Sequence, residues 1–148
     1  MITSTNHFSF TVSDLDKSLV FYNTVLGVDT VDVSYRPPEF SEAVTGIAGA
    51  FLKIGYIKTS NVNIELIQYQ GLENNKAITT TSFVGSSHAC FNVNNFDQFI
   101  DELKSAGVVV SSTKIAQVPD GPNKGKKVIY MKDPDGNNLE FLSNETYD

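Results

Sequence analysis

Three things are scarce in this sequence of 148 residues, and each scarcity excludes a class of protein. A single cysteine excludes an intrachain disulfide and suits a reducing compartment. The net charge of -6, with no basic stripe, argues against non-specific binding to nucleic acid. The longest apolar runs are too short to span a bilayer, and the N-terminus lacks the pattern of a signal peptide. We therefore expect a cytoplasmic protein that associates with neither nucleic acid nor membranes.

Histidine is also scarce, and the two histidines mark an internal repeat. His7 and His88 each open a segment of the form H-x-x-F-x-V-x-D/N-L/F-D, followed by a helical stretch and then Gly-Val. From His to Gly the spacing is 20 residues in one copy and 19 in the other. Each copy ends in a strand-like segment that carries one glutamate, Glu65 or Glu140. Two His and two Glu at mirrored positions predict a metal site with four ligands.

Hydrophobic periodicity predicts the same order of elements, β-α-β-β-β, in both halves. The first half should contain a helix capped by Ser13 and ended by Gly27, a long connection over 37–50, and strands over 6–12, 28–35, 50–58 and 62–70. The second should contain a helix over about 95–105, a hairpin turn at 133–136, and strands over 88–93, 108–115, 126–132 and 138–143. Residues 144–148 are expected to fray.

Alternation along the strands assigns their two faces. Phe8, Phe10 and Val12 should pack against the first helix, and His7 should point to the opposite face. The same argument places His88 and Cys90 opposite the second helix. A sheet with one helix-covered face and one polar face that holds both His and both Glu suggests a lined cavity.

At this point the chain resembles the vicinal oxygen chelate superfamily, which includes glyoxalase I, methylmalonyl-CoA epimerase, extradiol dioxygenases and the bleomycin and fosfomycin resistance proteins. The segments that carry the resemblance are 14–18, 21–22, 26–27, 133–136 and 139–140. The resemblance implies an α+β fold in which two tandem βαβββ modules form a curved mixed sheet around a cavity, with helices on the outer face. It covers essentially the whole chain as one domain, with module 1 at about 5–70, a linker at about 71–86 and module 2 at about 87–144.

The resemblance also implies a divalent metal ion held by His7, Glu65, His88 and Glu140. Oxygen and imidazole ligands suit Zn, Ni, Co, Mn or Fe, and two carboxylates balance the charge of the ion. Two further positions of an octahedral ion would be open to water or substrate. By resemblance to glyoxalase I and the epimerase, Glu140 is expected to be the base, with Glu65 as its partner. A small-molecule substrate and a homodimer are also implied.

The leading interpretation is a lyase or isomerase that removes a proton next to a metal-bound carbonyl. The alternatives are an extradiol-type dioxygenase, a fosfomycin-type thiol transferase and a metal-free antibiotic-binding protein. By the family resemblance the dioxygenase uses two His and one Glu, and the transferase three protein ligands, so Glu65 as a fourth ligand counts against both. A metal-free binding protein needs no metal ligands, so the presence of all four ligand-type residues counts against this alternative as well.

Several other residues admit both a functional and an ordinary interpretation. Arg36, the only arginine, could bind an anionic group or lie on the surface before Pro37. Cys90 could line the pocket or be a small buried hydrophobe. The 37–50 connection could be a lid or an ordinary loop. Three lysines could contact a phosphate-bearing substrate such as a CoA ester or form a solvated hairpin: Lys124, Lys126 and Lys127.

Overall fold

A computed structural model describes residues 1–73, 80–112 and 114–147. The chain divides into two compact units, Met1–Lys76 and Ala77–Asp148. Part of the predicted linker, 74–79, lies outside the described residues. None of the helices in the described ranges has the length and apolar character needed to cross a membrane.

The first unit has the predicted order of elements with one additional helix. Its elements are β1 (His7–Thr11), α1 (Leu15–Leu26), β2 (Thr30–Arg36), α2 (Pro38–Thr45), β3 (Phe51–Lys58) and β4 (Asn63–Gln70). They form a four-stranded sheet in the order β1-β4-β3-β2. β1 is parallel to β4, and the other pairs are antiparallel.

The second unit repeats this topology. Its elements are β5 (His88–Val93), α3 (Phe96–Ser105), β6 (Ala116–Gln117), β7 (Lys126–Lys132) and β8 (Asn138–Thr146). The sheet order is β5-β8-β7-β6, with β5 parallel to β8. The prediction of two βαβββ modules with mixed sheets is therefore confirmed.

Each main helix packs on the apolar face of its own sheet, as the alternation predicts. In the first unit the ring of Phe10 stacks on Tyr22 of α1, with 6.2 Å between centroids. Gly55 lets α1 approach β3 closely, because a Cβ at this position would lie 3.1 Å from Leu19 Cδ2. In the second unit Phe99 of α3 packs on Phe141, with ring centroids 5.0 Å apart. The histidines lie on the opposite face of each sheet, away from α1 in the first unit and from α3 in the second.

The cap of α1 corrects one detail of the sequence prediction. Asp14, not Ser13, is the N-cap, and its carboxylate accepts a hydrogen bond from Lys17 N. The carboxylate also suits the positive end of the helix dipole, and the hydrogen bond from Lys17 is the main reason why the pKa of Asp14 is lowered. Gly27 ends the helix with φ 62°, as expected of a glycine C-cap.

The 37–50 segment is not a plain connection, because Pro38–Thr45 form α2. Proline in the first turn fixes φ at a helical value, and Gly46 ends the helix with φ 73°. The proline pair and the glycines are typical of a loop, but in this order they also mark the start and end of a short helix. The lid hypothesis for this segment stays a prediction.

One strand prediction in the second half was wrong, and so was the expected fraying of the tail. Among the described residues, the strand predicted over 108–115 is absent and the ladder with β7 is confined to Ala116–Gln117. At this point β7 is joined by one backbone hydrogen bond, from Ser112 N to Tyr130 O, and by two hydroxyl bonds, from Ser111 Oγ to Tyr130 O and from Tyr130 N to Ser112 Oγ. The tail at 144–146 does not fray, because β8 runs to Thr146, which pairs with Lys126.

Two buried serines on the helices of the first unit allow a matched test of stability. Ser18 is 1% exposed, and among the described residues its Oγ has no hydrogen-bond partner. Ser41 is 0% exposed, and its Oγ donates to Arg36 O at 3.0 Å. We expect Ser18→Ala to raise the free energy of unfolding by about 1 kcal/mol and Ser41→Ala to lower it by about 1 kcal/mol. Urea unfolding of both variants checks the signs, and equal effects would contradict the assignment of Ser18 as unsatisfied.

Candidate metal centre

His7 and Glu65 lie next to each other on the parallel strands β1 and β4. The register pairs His7 with Asn63 and Ser9 with Glu65, so both side chains point to the face opposite α1. His7 Nε2 lies 3.3 Å from Glu65 Oε2. The Glu65 side chain is 9% exposed and that of His7 is 35% exposed. The pair therefore sits at the edge of solvent, with the carboxylate as its buried member.

The other ring nitrogen of His7 also has a polar neighbour. His7 Nδ1 lies 2.7 Å from Asn6 Oδ1, which is a hydrogen-bond acceptor. In the tautomer that donates from Nδ1 to Asn6, the lone pair of Nε2 is directed at the Glu65 carboxylate. In that tautomer a cation between Nε2 and Oε2 would have a donor atom on each side.

His88 and Glu140 repeat this arrangement on β5 and β8. The register pairs His88 with Asn138 and Cys90 with Glu140. As in the first unit, the Glu therefore lies opposite the residue two positions after the His. His88 Nε2 lies 3.0 Å from Glu140 Oε2, and the side chains are 43% and 18% exposed. Each unit thus brings together one predicted His and one predicted Glu. The repeat in the sequence therefore corresponds to the same arrangement of a His and a Glu side chain in both units.

Two tyrosines that the sequence analysis did not consider bind the two glutamates. Tyr56 lies opposite Glu65 on β3 and donates to Glu65 Oε1 at 2.5 Å. Tyr130 lies opposite Glu140 on β7 and donates to Glu140 Oε2 at 3.0 Å. The hydrogen bond to Glu65 raises the pKa of Tyr56 to about 12, and burial, then the bond to Glu140, raises that of Tyr130 to about 12. Both hydroxyls are therefore protonated donors at neutral pH.

A repeated motif could have revealed these tyrosines. Each half contains Tyr-x-Lys, then a turn, then Asn-x-Glu, with Tyr56 and Lys58 in the first half and Tyr130 and Lys132 in the second. The turn is one residue longer in the second copy, which hides the repeat from an alignment without gaps.

The face that carries the first pair is less polar than predicted. Leu52 and Ile54 of β3 are each 5% exposed and belong to a core cluster that includes Tyr56, Ile67 and Tyr69. The register places Tyr69 opposite Leu52 and Ile67 opposite Ile54, on the same face as Glu65. The His7–Glu65 pair therefore adjoins an apolar surface, where charge interactions are stronger than in water.

The comparisons with known proteins agree with this fold. The family model for the Glyoxalase/Bleomycin resistance protein/Dioxygenase superfamily matches residues 4–141. The chain belongs to this superfamily. Glyoxalase-superfamily structures share its fold: a glyoxalase family protein from Bacillus cereus superposes with TM-score 0.81 at 16% identity, covering 97% of this chain and 95% of that one. FosX from Listeria monocytogenes, crystallised with Mn(II) and sulfate, superposes with TM-score 0.62 at 16% identity, covering 98% and 95%.

Curated relatives in the glyoxalase superfamily carry several enzyme names. The metallothiol transferase FosB of Staphylococcus epidermidis is 30% identical over 142 residues, which cover 95% of this chain and 81% of FosB. The 2-epi-5-epi-valiolone epimerase of an Actinomyces species is 24% identical over 93% of this chain and 78% of the epimerase. The lactoylglutathione lyase of Schizosaccharomyces pombe is 30% identical over 93% of this chain but only 46% of the lyase.

Within this superfamily member, the remaining candidate residues are mostly engaged elsewhere. Arg36 Nη1 donates to Ser34 Oγ and to Tyr35 O, each at 3.1 Å. Lys127 forms an ion pair with Asp97 at 2.6 Å and lies over the Tyr147 ring. Lys124 lines a cleft of about 660 Å³ in the second unit, together with Gln117, Val118, Pro119, Gly125, Thr146 and Tyr147. That cleft does not include His88 or Glu140 in its lining.

Among the residues that the structure describes, no group of three or more His, Cys, Asp or Glu side chains is placed to hold a metal ion. The assignment of His7, Glu65, His88 and Glu140 as four ligands of one ion stays a prediction.

Cys90 is exposed and is not the buried hydrophobe that the ordinary interpretation favoured. It lies opposite Glu140 on the His88 face. Partial desolvation, followed by the charge of Glu140 and a hydrogen bond to it, raises the pKa of the Cys90 thiol from 9.0 to about 11.

This raised pKa predicts an exposed but unreactive thiol. Near pH 7.5 the thiolate fraction is expected to be about 100-fold lower than at an ordinary cysteine, because each pKa unit changes it tenfold. Alkylation of chelator-treated protein by iodoacetamide should be correspondingly slow and should accelerate as the pH rises towards 11. Glu140→Gln should recover part of the reactivity. Rapid alkylation at neutral pH, measured by mass spectrometry, would contradict the prediction.

Proposed function

We propose that this protein is a divalent-metal-dependent lyase or isomerase of the glyoxalase I or epimerase type. One observation carries the proposal: each unit places a His Nε2 against a Glu Oε2 at the same strand register. Four ligands arranged as two equivalent pairs are what the vicinal oxygen chelate resemblance implies for a lyase or epimerase. Relatives named as a lyase and as an epimerase support this reaction class.

The donor set fits a divalent ion such as Zn, Ni, Co, Mn or Fe. Neighbouring ligand atoms on an octahedral ion with bonds of about 2.1 Å lie about 3 Å apart. The two His–Glu separations are 3.3 and 3.0 Å. Two neutral imidazoles and two carboxylates also neutralise a charge of two. The Mn(II) in FosX, a structure with the same fold, supports a metal of this kind.

In the proposed reaction, this chain binds a small carbonyl compound with an acidic α-hydrogen. When bound, the metal supplies a Lewis acid that polarises the carbonyl oxygen. Glu140 takes the α-proton on a carboxylate oxygen and returns it to the same or the adjacent carbon. The hydroxyl of Tyr130 donates to Glu140 Oε2, which orients the carboxylate while its charge changes. His7 and His88 contribute neutral ligands and keep their other ring nitrogens for orientation.

The proposal is tested by metal analysis combined with a proton-exchange assay. We expect the protein purified without chelator to contain one divalent ion per site. We also expect it to exchange the α-hydrogen of the methylglyoxal–glutathione hemithioacetal, or of an acyl-CoA, with deuterium from solvent. Protein without bound metal would contradict the proposal. Metal-loaded protein that exchanges no hydrogen on either substrate would shift the assignment to a dioxygenase or a binding protein.

A second candidate is metal-dependent thiol transfer, which the 30% identity to FosB over 95% of the chain favours. In that reaction a thiolate sulfur would attack an epoxide carbon, the carbon–oxygen bond would break, and the released alkoxide would take a proton. Fosfomycin incubated with glutathione or cysteine and the metal-loaded protein distinguishes the candidates by NMR. Adduct formation without proton exchange would select the transferase.

We further propose that the protein works as a cytoplasmic homodimer, in line with the single cysteine and the superfamily resemblance. Complementation tests whether the two His–Glu pairs meet across the dimer. If they do, mixing His7→Ala chains with His88→Ala chains should restore one intact site in each mixed dimer. If both pairs of one chain bind the same ion, the mixture should bind no more metal than either variant alone.

A further inference from the structure

The two His–Glu–Tyr clusters differ in how the carboxylate oxygens are used. In the first unit Tyr56 binds Glu65 Oε1, and His7 faces the other oxygen, Oε2. In the second unit Tyr130 and His88 both contact Glu140 Oε2, at 3.0 Å each. Tyr130 Oη also lies 3.4 Å from His88 Nε2. Tyr56 and His7 therefore engage different oxygens of Glu65, whereas Tyr130 and His88 share one oxygen of Glu140, a carboxylate that also accepts a hydrogen bond from Cys90.

We propose that Tyr56 is a positioning residue that restricts Glu65 to one-oxygen coordination of the metal through Oε2. The inference rests on the proposed function, because it deepens the assignment of Glu65 as a ligand. Because Tyr56 donates to Oε1 while His7 faces Oε2, the two contacts hold the Glu65 carboxylate in one orientation and leave Oε2 as the oxygen for a metal ion. Glu65 is thereby held as a fixed ligand, and proton transfer is left to Glu140.

Burial and register support this role. Glu65 is the least exposed of the four side chains, at 9%, so water competes little with Tyr56 for Oε1. Tyr56 is held directly opposite Glu65 by the β3–β4 ladder, and its ring packs against the apolar cluster around Leu52 and Ile54. The donor is therefore positioned before any metal binds.

The test compares Tyr56→Phe with Tyr69→Phe in the full-length protein, titrated with Co(II). Both changes remove one hydroxyl from the same face of the sheet. In the described part of the chain Tyr69 hydrogen-bonds neither His7 nor Glu65, and it belongs to the neighbouring apolar cluster. We expect Tyr56→Phe to lose about 10- to 100-fold in Co(II) affinity, the usual effect of removing an outer-shell partner of a metal ligand. Tyr69→Phe should bind Co(II) as wild type does.

The visible spectrum of bound Co(II) separates positioning from a merely structural role. A freed Glu65 oxygen changes the coordination number, so the band intensity of Tyr56→Phe should differ from that of wild type. A lower melting temperature with unchanged affinity and spectrum would overturn the inference and leave the proposed function intact. Wild-type protein that binds no Co(II) would overturn both.

Discussion

Replacing His88 by Ala is expected to lower the affinity for a divalent metal by orders of magnitude. His88 is a predicted direct ligand, and loss of an outer-shell partner alone costs roughly 10- to 100-fold. The three remaining ligands would leave the ion short of donors, and Glu140 would lose the neighbour that faces its Oε2 at 3.0 Å. Isothermal titration with Mn(II), Ni(II) or Zn(II) measures the change. His7→Ala should behave alike, because the two histidines occupy equivalent registers.

Asn92→Ala provides the matched control for His88→Ala. Asn92 lies on the same strand and the same face, two positions beyond Cys90, and it is exposed. Its replacement changes the strand in a similar way without removing an imidazole, so its metal affinity should equal that of wild type. Stoichiometric, tight metal binding by His88→Ala would show that His88 is not a ligand. The four-ligand proposal would then fail at this position.

The parts of the fold that the sequence predicted are those fixed by periodicity and by the repeat. Phe8 and Phe10 alternate with His7 and Ser9, and this alternation alone decides which face meets α1. The sequence repeat then predicts His88 and Glu140 as the equivalents of His7 and Glu65. The strand registers of the two units agree with this prediction. The register between strands follows from such patterns, because a shift of one strand by one residue would bury its polar face.

The errors arose where local chemistry overrides periodicity. Val108–Val110 resemble a strand in composition, yet next to them the hydroxyls of Ser111 and Ser112 compete for the backbone of Tyr130, and a single backbone hydrogen bond, from Ser112 N, reaches it. Residues 38–45 form a helix because proline and glycine bracket them in the order that favours one. The sequence alone does not reveal Tyr56 and Tyr130, because their role depends on which residue lies opposite them across a strand pair. Sequence spacing does not give that pairing until the length of the hairpin turn is known.

The unequal surroundings of the two glutamates imply unequal roles. Glu65 is engaged through both oxygens and its side chain is 9% exposed, whereas the Glu140 side chain is 18% exposed, and its contacts with His88 and Tyr130 are both at Oε2. A general base must change its charge and reach the substrate proton, so the more exposed carboxylate is better suited to the task. A fixed ligand needs the opposite properties. The asymmetry therefore agrees with the expectation from the family resemblance that Glu140 is the base.

Glu140→Gln is accordingly expected to impair catalysis far more than metal binding. Glutamine keeps a ligating oxygen at the same position but cannot accept a proton at neutral pH. Removing a general base typically costs about 10²- to 10⁴-fold in rate, and we expect solvent exchange of the substrate α-hydrogen to slow by that amount. Metal affinity, which depends on the retained oxygen and three unchanged ligands, should fall much less. Proton NMR in deuterated buffer and metal titration of the same preparation give the two quantities.

The comparison with Glu65→Gln decides between the two carboxylates. If Glu65 is only a ligand, its glutamine variant should retain part of the exchange rate once enough metal is added, because Glu140 still accepts the proton. Exchange at the wild-type rate in metal-loaded Glu140→Gln would move the base to Glu65 or to another residue. Equal losses in both variants, with metal still bound, would mean that the carboxylates act as one unit. In that case the asymmetry at Tyr56 and Tyr130 would not distinguish a ligand from a base.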